Sequence, residues 1–264
     1  MKRQGSGFNP RILIGLGLAA FSACSYFTLN QTNPVTGEKQ HIDVTPEQEA
    51  QIGNQAAPEM ASQYGGVDPD DRAQQAVNEV GQNVVAHSEA AKSPYKYHFT
   101  ALADGKTINA FALPGGQVFV THGLLSLLKS KDQLAGVLAH EIGHVVDRHG
   151  AEQMAQQKFT QGISSAAVLA TVNPNDPRTY KDAAIVQAVN SLLSLKYSRN
   201  DESEADRFGV RFMKEAGYNP RAMVEVMQIL EKSSGSGGPE FFQNHPNPKN
   251  RIKDIEAEIR KEGG

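Results

Sequence analysis

The sequence contains no tryptophan, a single cysteine and no surplus of basic residues over its 264 positions. One cysteine forms neither an internal disulfide nor a cysteine-based zinc site, so any metal ion must be held by histidine and carboxylate side chains. Lysine and arginine number 26 against 29 acidic residues, whereas a protein that binds nucleic-acid phosphates is expected to be basic. We therefore expect no nucleic-acid partner. The chain also lacks an apolar run long enough to span a bilayer, while its hydrophobic content of 39% is too high for a disordered chain.

The first 23 residues have the composition of an export signal peptide. They carry three basic residues and no acidic one, and the apolar stretch Ile12–Phe21 leads to the small residues Ser22 and Ala23. The sequence FSAC that ends at Cys24 resembles a bacterial lipobox, in which the cysteine is lipidated and becomes the mature N-terminus, although Phe21 stands where leucine is usual. Cleavage after Ser22 by an ordinary signal peptidase is the alternative. We expect an outer-membrane lipoprotein on the periplasmic side that contacts the membrane only through its lipid anchor, or else a soluble periplasmic protein.

A tether and entry segment is expected at 24–44, followed by one α-rich domain at 45–264. Capping residues and apolar periodicity predict helices, at about 45–65, 70–91, 124–129, 131–149, 151–170, 181–197, 200–216, 220–232 and 248–261. Alternating apolar and polar residues predict three short strands, at 95–101, 107–113 and 117–121. Ser233–Gly238 is predicted to be a flexible loop. Short strands clustered between helices favour an α+β fold with a small, mostly antiparallel sheet over a doubly wound parallel sheet.

The most informative motif of the sequence is HEIGH at residues 140–144. Histidines four residues apart on a helix project from the same face, close enough for both imidazoles to bind one zinc ion. Glu141 would then lie beside the metal, placed to take a proton from a water molecule bound there. The surrounding helix is predicted to begin at Ser130 and to end at Gly150. The alternative is a surface helix whose two histidines share a face by chance, which the capped helix and its apolar flanks disfavour.

A catalytic zinc site also needs a third protein ligand and an open position. His149 follows the first histidine of the motif by nine residues, half a turn away, and is expected to be a cation near the helix C-terminus. The acidic segment SRNDESEAD that begins at Ser198 is a better source. Glu202 and Asp206 share a helix face, so one can bind the metal while the other hydrogen-bonds a ligating imidazole, whereas Glu204 is expected to point elsewhere and to be solvated. Spacing alone does not choose Glu202, because a plain charged helix start has the same composition.

The HEIGH motif and the later SRNDESEAD segment together resemble the gluzincin zinc peptidases of the HtpX, CAAX-prenyl-protease and mitochondrial Oma type. Further stretches are similar to the family in the same order along the chain: Asn33–Gln40 (NPVTGEKQ), Asn109–Gly116 (NAFALPGG), and His245-Pro246 followed by Arg251. The resemblance covers roughly residues 33–260 and is nearest to small exported bacterial members of the BepA or LoiP kind. It implies a mainly helical zincin fold with the small sheet beside the metal-binding helix.

The resemblance also implies a role for each residue of the metal site. It implies one Zn²⁺ per chain, held by His140, His144 and Glu202. Asp206 would hydrogen-bond a ligating imidazole from behind, and Glu141 would be the general base that passes a proton to the leaving amine.

Late in the chain, the resemblance implies that His245 and Arg251 stabilise the oxyanion of the reaction or orient the substrate. In some periplasmic relatives the equivalent histidine fills the open metal position and silences the enzyme, and we expect His245 to do the same at rest. Without the resemblance, these residues would be an ordinary helix entry with an exposed arginine. An extended substrate is expected to add as a strand to the sheet edge beside the cleft. The residues expected at that edge are Asn109, Ala110, Phe111 and Ala112.

These features predict an exported zinc-dependent endopeptidase that hydrolyses peptide bonds of misfolded or misassembled envelope proteins. The alternative is a zinc-binding periplasmic chaperone or assembly factor with little or latent proteolysis. The intact Glu141 favours the peptidase, because a pure binding module has no use for a general base beside the metal.

Overall fold

Helices make up most of the computed structural model, which describes residues 10–171, 196–233, 238–247 and 250–263. The described helices are α1 (Pro10–Thr28), α2 (Pro46–Gln63), α3 (Asp71–Ala86), α4 (His122–Leu125), α5 (Lys131–Val146), α6 (His149–Thr171), α7 (Arg199–Glu215), α8 (Arg221–Lys232), α9 (Phe241–Asn244) and α10 (Arg251–Lys261). The described strands are β1 (Gln31–Thr32), β2 (Lys39–Gln40), β3 (His98–Leu102), β4 (Ala110–Leu113) and β5 (Gln117–Thr121). The predicted helix at 181–197 lies almost wholly outside the described residues.

Side-chain caps fix the points at which several helices begin. Thr45 and Gln48 form a capping box at the start of α2, each side chain accepting a hydrogen bond from the other residue's N–H. The Ser130 hydroxyl accepts from the N–H of Gln133 at 3.2 Å and begins α5. Ser198 caps α7 in the same way. Each cap satisfies N–H groups that have no partner inside the helix, so the local sequence sets the register of the two helices that carry the site.

The three-stranded sheet has the order β3-β5-β4, with β5 in the centre and β4 at an edge. β4 and β5 are antiparallel, β3 and β5 are parallel, and the small β1–β2 pair is antiparallel. The α+β, mainly helical fold predicted from the sequence is confirmed. Helix α6 is longer than predicted, whereas several other elements are shorter. In particular, the expected helix at 70–91 is interrupted, because Ser88 caps a separate 3₁₀ turn at Glu89–Lys92.

α5 is the central helix of the fold, and every residue from Gln133 to Val146 is buried. It packs against α3, α7 and α8, and β4 and β5 lie beside it. The approach of α7 is close because Gly143 has no side chain; a Cβ at this position would lie 3.0 Å from the carbonyl oxygen of Ala205. Burial of apolar surface on all sides of α5 therefore holds the HEIGH motif inside the protein rather than on its surface.

The end of α5 contradicts the prediction that Gly150 stops this helix. The helix ends four residues earlier, Arg148 adopts a left-handed φ of 56°, and α6 begins at His149, so Gly150 lies inside α6. A left-handed conformation is unfavourable for a residue with a side chain. The buried guanidinium of Arg148 compensates for it by donating a hydrogen bond to Glu49 at 2.8 Å.

The N-terminal helix α1 packs against α6. The ring of Tyr26 stacks on those of Phe159 and His41, with centroids 4.8 and 5.2 Å apart, and Cys24 lies in α1 with its side chain exposed. Among the described helices, none combines the length and the apolar character needed to cross a membrane. The side chains beyond residue 162 in α6 are outside the described part of the chain.

Candidate metal centre

Four buried side chains from three parts of the chain converge at the centre of the protein. His140 and His144 of α5, Glu202 of α7 and His245 each offer one ligand atom, and these atoms lie within 4.8 Å of one another. The Nε2 atoms of His140 and His144 are 3.1 Å apart, and Oε1 of Glu202 is 3.3 Å from His144 Nε2 and 2.9 Å from His245 Nδ1. Ligands bound at about 2.0–2.1 Å in a tetrahedron stand roughly 3.3 Å from one another. The cluster therefore has close to the spacing of a tetrahedral metal site.

The chemistry of the neighbouring atoms also fits a metal ion. Glu141 is fully buried, yet neither of its carboxylate oxygens has a hydrogen-bond partner among the described residues. Nε2 of His245 has none either, and it lies 3.6 Å from Oε1 of Glu141. Buried polar atoms without partners are rare and costly in native proteins. Their presence beside the converging ligand atoms indicates a site built for an ion and a reacting molecule.

The protonation states of the ligands suit metal binding. Burial lowers the pKa of His144 well below its ordinary value, so this ring is neutral near pH 7 and keeps a free lone pair. Burial raises the pKa of the Glu202 carboxyl, but His245 and Arg251 outweigh it and hold that pKa well below its usual range. Burial dominates at Glu141 and raises its pKa, against the opposing charges of His245 and His140. Glu202 is thus an ionised ligand, whereas Glu141 is a stronger base than an exposed carboxylate.

Asp206 and Arg251 lie directly behind the ligands. Oδ1 of Asp206 is 2.9 Å from Nδ1 of His140, which leaves Nε2 of that ring facing the ligand cluster. Arg251 donates to both oxygens of Asp206, at 2.8 and 2.9 Å, and its Nη1 is 2.7 Å from Oε2 of Glu202. Because the buried guanidinium contacts these carboxylates and does not line the cleft beside the sheet, Arg251 is placed to orient the ligands rather than a substrate.

His149 and Glu204 lie close to the ligands, although the sequence indicated otherwise. Nδ1 of His149 is 2.9 Å from Nδ1 of His144, and Nε2 of His149 is 3.3 Å from Oε2 of Glu204 and 3.4 Å from Oδ2 of Asp147. His149 lies three residues past the end of α5, and the hydrogen bonds to Asp147 and Glu204 outweigh its burial and raise its pKa to about 9, which agrees with a cation near the end of that helix. The prediction that Glu204 points elsewhere is wrong, because its side chain contacts His149. Their proximity depends on the turn at Arg148 and on side-chain contacts between the start of α6 and α7, which no local pattern signals.

A cleft of about 190 Å³ adjoins the ligands on the side of the sheet edge. Its walls are formed by Tyr64 just after α2, Phe111 and Ala112 of β4, Tyr197, and His245. Of the residues predicted to bind an extended substrate, Phe111 and Ala112 line this cleft. Asn109 lies just before β4, and its buried side chain turns instead to Glu240, with 2.9 Å between Nδ2 and Oε1.

Residues 239–245, which we call the His245 segment, cover one side of the cleft. Glu240 accepts hydrogen bonds from Asn109 and from the hydroxyl of Tyr64. The N–H of Phe241 donates to the carbonyl of Ile108 at 3.2 Å, and the ring of Phe241 stacks on His245 with centroids 4.3 Å apart. These contacts fix the segment to the residue that follows α2 and to the residues just before β4, while His245 lies fully buried among the ligands.

Comparison with known proteins is consistent with this geometry. Residues 71–259 match Peptidase family M48. Over 259 residues the chain is 32% identical to mitochondrial metalloendopeptidase OMA1 of Schizosaccharomyces pombe, covering 93% of this chain and 72% of that protein. Over 187 residues it is 31% identical to the beta-barrel assembly-enhancing protease of Escherichia coli K12, covering 68% of this chain and 37% of that protein. The metalloendopeptidase OMA1 of Bos taurus is 29% identical over 267 residues, covering 92% of this chain and 49% of that protein.

The family match covers most of the chain and contains both helices that supply ligands as well as the His245 segment. The chain spans only about a third of the length of the bacterial relative, so the match does not assign the activity of that whole protein to this chain. The buried cluster of histidine and carboxylate ligands supplies the metal-dependent chemistry that the matched family requires. The family match and the buried metal centre together show that the chain belongs to Peptidase family M48 and is a metalloendopeptidase.

Proposed function

We propose that this metalloendopeptidase uses zinc and cleaves unfolded or misassembled proteins of the cell envelope. The observation that carries the proposal is the position of Glu141, a buried carboxylate that has no hydrogen-bond partner among the described residues and lies beside four convergent ligand atoms. A structural metal site has no need for a free base at this point, whereas peptide hydrolysis depends on one.

The donor set of two imidazoles and one carboxylate suits zinc with a position left for the reaction. His140, His144 and Glu202 would hold the ion. When bound, zinc supplies a Lewis acid that lowers the pKa of water to about 7 and polarises the scissile carbonyl. Asp206 and Arg251 keep His140 and Glu202 in their ligating orientations.

The proton transfers fall to Glu141, because its raised pKa makes it an effective base. It removes the proton from the attacking water and delivers it to the leaving amine. His245 has its Nδ1 2.9 Å from Oε1 of Glu202 and its Nε2 3.6 Å from Oε1 of Glu141, which favours a blocking role at rest over stabilisation of the oxyanion. Arg251, which the sequence suggested for this task, is engaged by two carboxylates instead.

The sheet edge supports the proposed substrate class. An extended peptide beside β4 would be held by backbone hydrogen bonds, which read little side-chain identity. Only a locally unfolded chain can present such a strand, so this mode of binding favours unfolded proteins. Two relatives are named as an assembly-enhancing protease and a mitochondrial metalloendopeptidase, which is in keeping with a role in protein quality control.

The N-terminal sequence supports export and a lipid anchor at Cys24. The cysteine follows a basic and apolar leader, and its side chain is exposed on α1. Metabolic labelling with a fatty acid is expected to mark the wild-type chain and not a Cys24→Ala variant. Export of an unlabelled wild-type chain would instead favour a soluble periplasmic protein.

The second candidate function is a zinc-binding chaperone or assembly factor with latent proteolysis. The observation that favours it is His245, which occupies the fourth ligand position and leaves none open for a substrate. We therefore include in the proposal a resting state in which His245 blocks the site.

Cleavage of a casein-like unfolded substrate tests both candidates. The comparison uses wild type, Glu141→Gln and His245→Ala, each with zinc and with a chelator. Zinc-dependent cleavage that is lost in Glu141→Gln, although the variant still binds zinc, is the result expected for the peptidase. Equal cleavage by wild type and Glu141→Gln contradicts the mechanism. No cleavage by wild type or by His245→Ala favours the binding role.

A further inference from the structure

We propose that His149 is a positioning residue for His144: its ring accepts a hydrogen bond from His144 Nδ1–H and is itself held by Asp147 and Glu204. This inference rests on the proposed zinc-dependent function, since it concerns how a ligand is oriented toward the ion. It extends the metal site to residues that contact Nδ1 of His144, as Asp206 contacts Nδ1 of His140.

The first step follows from the orientation of the His144 ring. Its Nε2 faces the other ligand atoms, 3.1 Å from His140 Nε2 and 3.3 Å from Glu202 Oε1. An imidazole nitrogen binds a metal only when it carries no proton, so the proton of the neutral ring must be on Nδ1. The partner of that atom is Nδ1 of His149, at 2.9 Å. In the metal-binding form, His144 therefore donates and His149 accepts.

The second step fixes the tautomer of His149. Because its Nδ1 is used as an acceptor, the neutral ring carries its proton on Nε2, which lies 3.3 Å from Glu204 and 3.4 Å from Asp147. The other oxygens of these carboxylates accept hydrogen bonds from Asn200 and Asn33, at 2.9 and 3.3 Å. The carboxylates are thus fixed on one side by amides and orient His149 on the other. Asp206 orients the ring of His140 in the same way, through the single contact of its Oδ1 with His140 Nδ1.

The same three residues, Asp147, His149 and Glu204, also have the spacing of a metal site. The contact between the two Nδ1 atoms argues against a second ion. If both rings bound metal through Nε2 as neutral imidazoles, each would carry a proton on Nδ1, and two protons do not fit between nitrogens 2.9 Å apart. Burial lowers the pKa of His149, but the hydrogen bonds to Asp147 and Glu204 outweigh it and raise that pKa to about 9, so the ring is a cation in the metal-free protein. Binding of an ion through Nε2 of His144 therefore requires His149 to release its Nδ1 proton, since both rings cannot place a proton between nitrogens 2.9 Å apart.

The backbone between the two rings shows how the contact is made. On a continuous helix, five residues at about 100° each would turn His149 about 140° away from His144. The left-handed Arg148, with φ of 56°, ends α5 and restarts the chain as α6, which brings His149 back against the ligand. Backbone outliers held by surrounding structure are characteristic of functional sites. The ion pair of Arg148 with Glu49 maintains this one.

The test measures zinc affinity by competition with a chelator, in the full chain carrying Glu141→Gln. His149→Leu is expected to bind zinc about 10- to 100-fold more weakly, as for other residues that orient a metal ligand. His149→Asn places an amide oxygen near the position of Nδ1 and is expected to recover most of the affinity. In the zinc-loaded parent, ¹⁵N NMR is expected to show a protonated Nδ1 on His144, with His149 protonated on Nε2 only.

Gln40→Leu is the matched control. Gln40 is buried at the same corner and donates to the carbonyl of Asp147, yet it touches neither ring, so its loss is expected to lower the melting temperature and leave zinc affinity unchanged. If His149→Leu does not fold, Glu204→Ala replaces it, with an expected loss of roughly fivefold because Asp147 remains.

Three results would overturn the inference: affinity in His149→Leu equal to that in Gln40→Leu, no recovery in His149→Asn, or two tightly bound ions per wild-type chain. Because affinity is measured in a chain that lacks the general base, it does not depend on cleavage. Failure of the proposed peptidase function and failure of the positioning role are therefore separate outcomes.

Discussion

At the scale of single residues, the three histidines of the metal centre are oriented in two ways. His140 and His144 point Nε2 at the other ligand atoms and use Nδ1 for a partner behind them. His245 is reversed, with Nδ1 among the ligands and Nε2 toward Glu141. It is also the only one of the three that does not belong to α5. His245 can therefore leave without moving the helix that holds the other two.

Replacing His245 should expose the catalytic position. His245→Ala is expected to raise cleavage of an unfolded substrate roughly tenfold if the resting site is closed in most molecules. Gln243→Ala is the control, because Gln243 lies in the same segment and lines the cleft without offering a ligand. The measurement is the initial rate at equal zinc content. A variant that is no more active than wild type would count against the blocked resting state.

The buried Asp206 should make the metal-free protein sensitive to acid. Burial raises the pKa of this carboxyl, but Arg251 and His140 outweigh it, so the folded pKa lies below the ordinary value. A lowered folded pKa contributes stability above the unfolded pKa of about 3.9, and this contribution is lost as the pH falls through the folded value.

Thermal melting between about pH 6 and pH 3 tests this expectation. The wild-type melting temperature should fall in the acid range, and Asp206→Asn should start lower at about pH 6 and fall less steeply. Parallel curves for the two proteins would show that Asp206 does not carry the effect.

At the scale of helices, the site depends on how closely α5 and α7 approach. Gly143→Ala would place a Cβ 3.0 Å from the oxygen and 3.1 Å from the Cα of Ala205, both backbone atoms. We expect weaker zinc binding, because Glu202 moves with α7. Alanine has the better helix propensity by about 1 kcal/mol, so a loss of affinity would have a packing origin.

Gly136→Ala provides the comparison within the same helix. Its nearest neighbour is Cγ of the Met223 side chain at 3.2 Å, which can adjust by rotating. Zinc affinity should be unchanged in this variant. Equal losses of affinity in the two alanine variants would contradict the argument from backbone proximity.

Local chemistry made most of the helices predictable. Thr45 and Ser130 cap α2 and α5 as the sequence indicates, because a cap involves residues only three positions apart. The turn at Arg148 was not predictable in this way. It depends on Glu49, about a hundred positions earlier, and Gly150 offered a misleading local alternative.

The residues of the metal site divide in the same way, into those that nearby sequence predicts and those that depend on distant parts of the chain. The spacing of His140 and His144 on one helix face is a local property, and it identified these two residues. The choice of Glu202 over Glu204 came from family resemblance, since both lie in one acidic run. The contacts of His149 were missed because they require two helices to meet.

At the scale of the whole molecule, a bound ion would join α5, α7 and the His245 segment. Such an ion stabilises the folded chain by about 4 kcal/mol at a thousandfold excess over its Kd. For a protein of this size we expect removal of the metal to lower the melting temperature by roughly 8–16 °C. Calorimetry with and without a chelator measures the difference. In Glu202→Gln, the difference in melting temperature with and without the chelator should be smaller than in wild type. A chelator that leaves the wild-type melting temperature unchanged would contradict the proposal that a bound ion joins these elements.

The bonds of Glu240 to Tyr64 and Asn109 have a consequence for the choice of targets. The His245 segment already contacts Ile108 and Asn109, which lead into β4, so a chain that extends along β4 past this point has to displace a competitor that is always present at high effective concentration. A folded protein offers no free strand and therefore does not displace the His245 segment. A denatured protein offers many overlapping segments, and their number allows it to displace the His245 segment. Selection would then operate through the abundance of exposed backbone, which makes cleavage respond to the load of damaged protein rather than to any particular sequence.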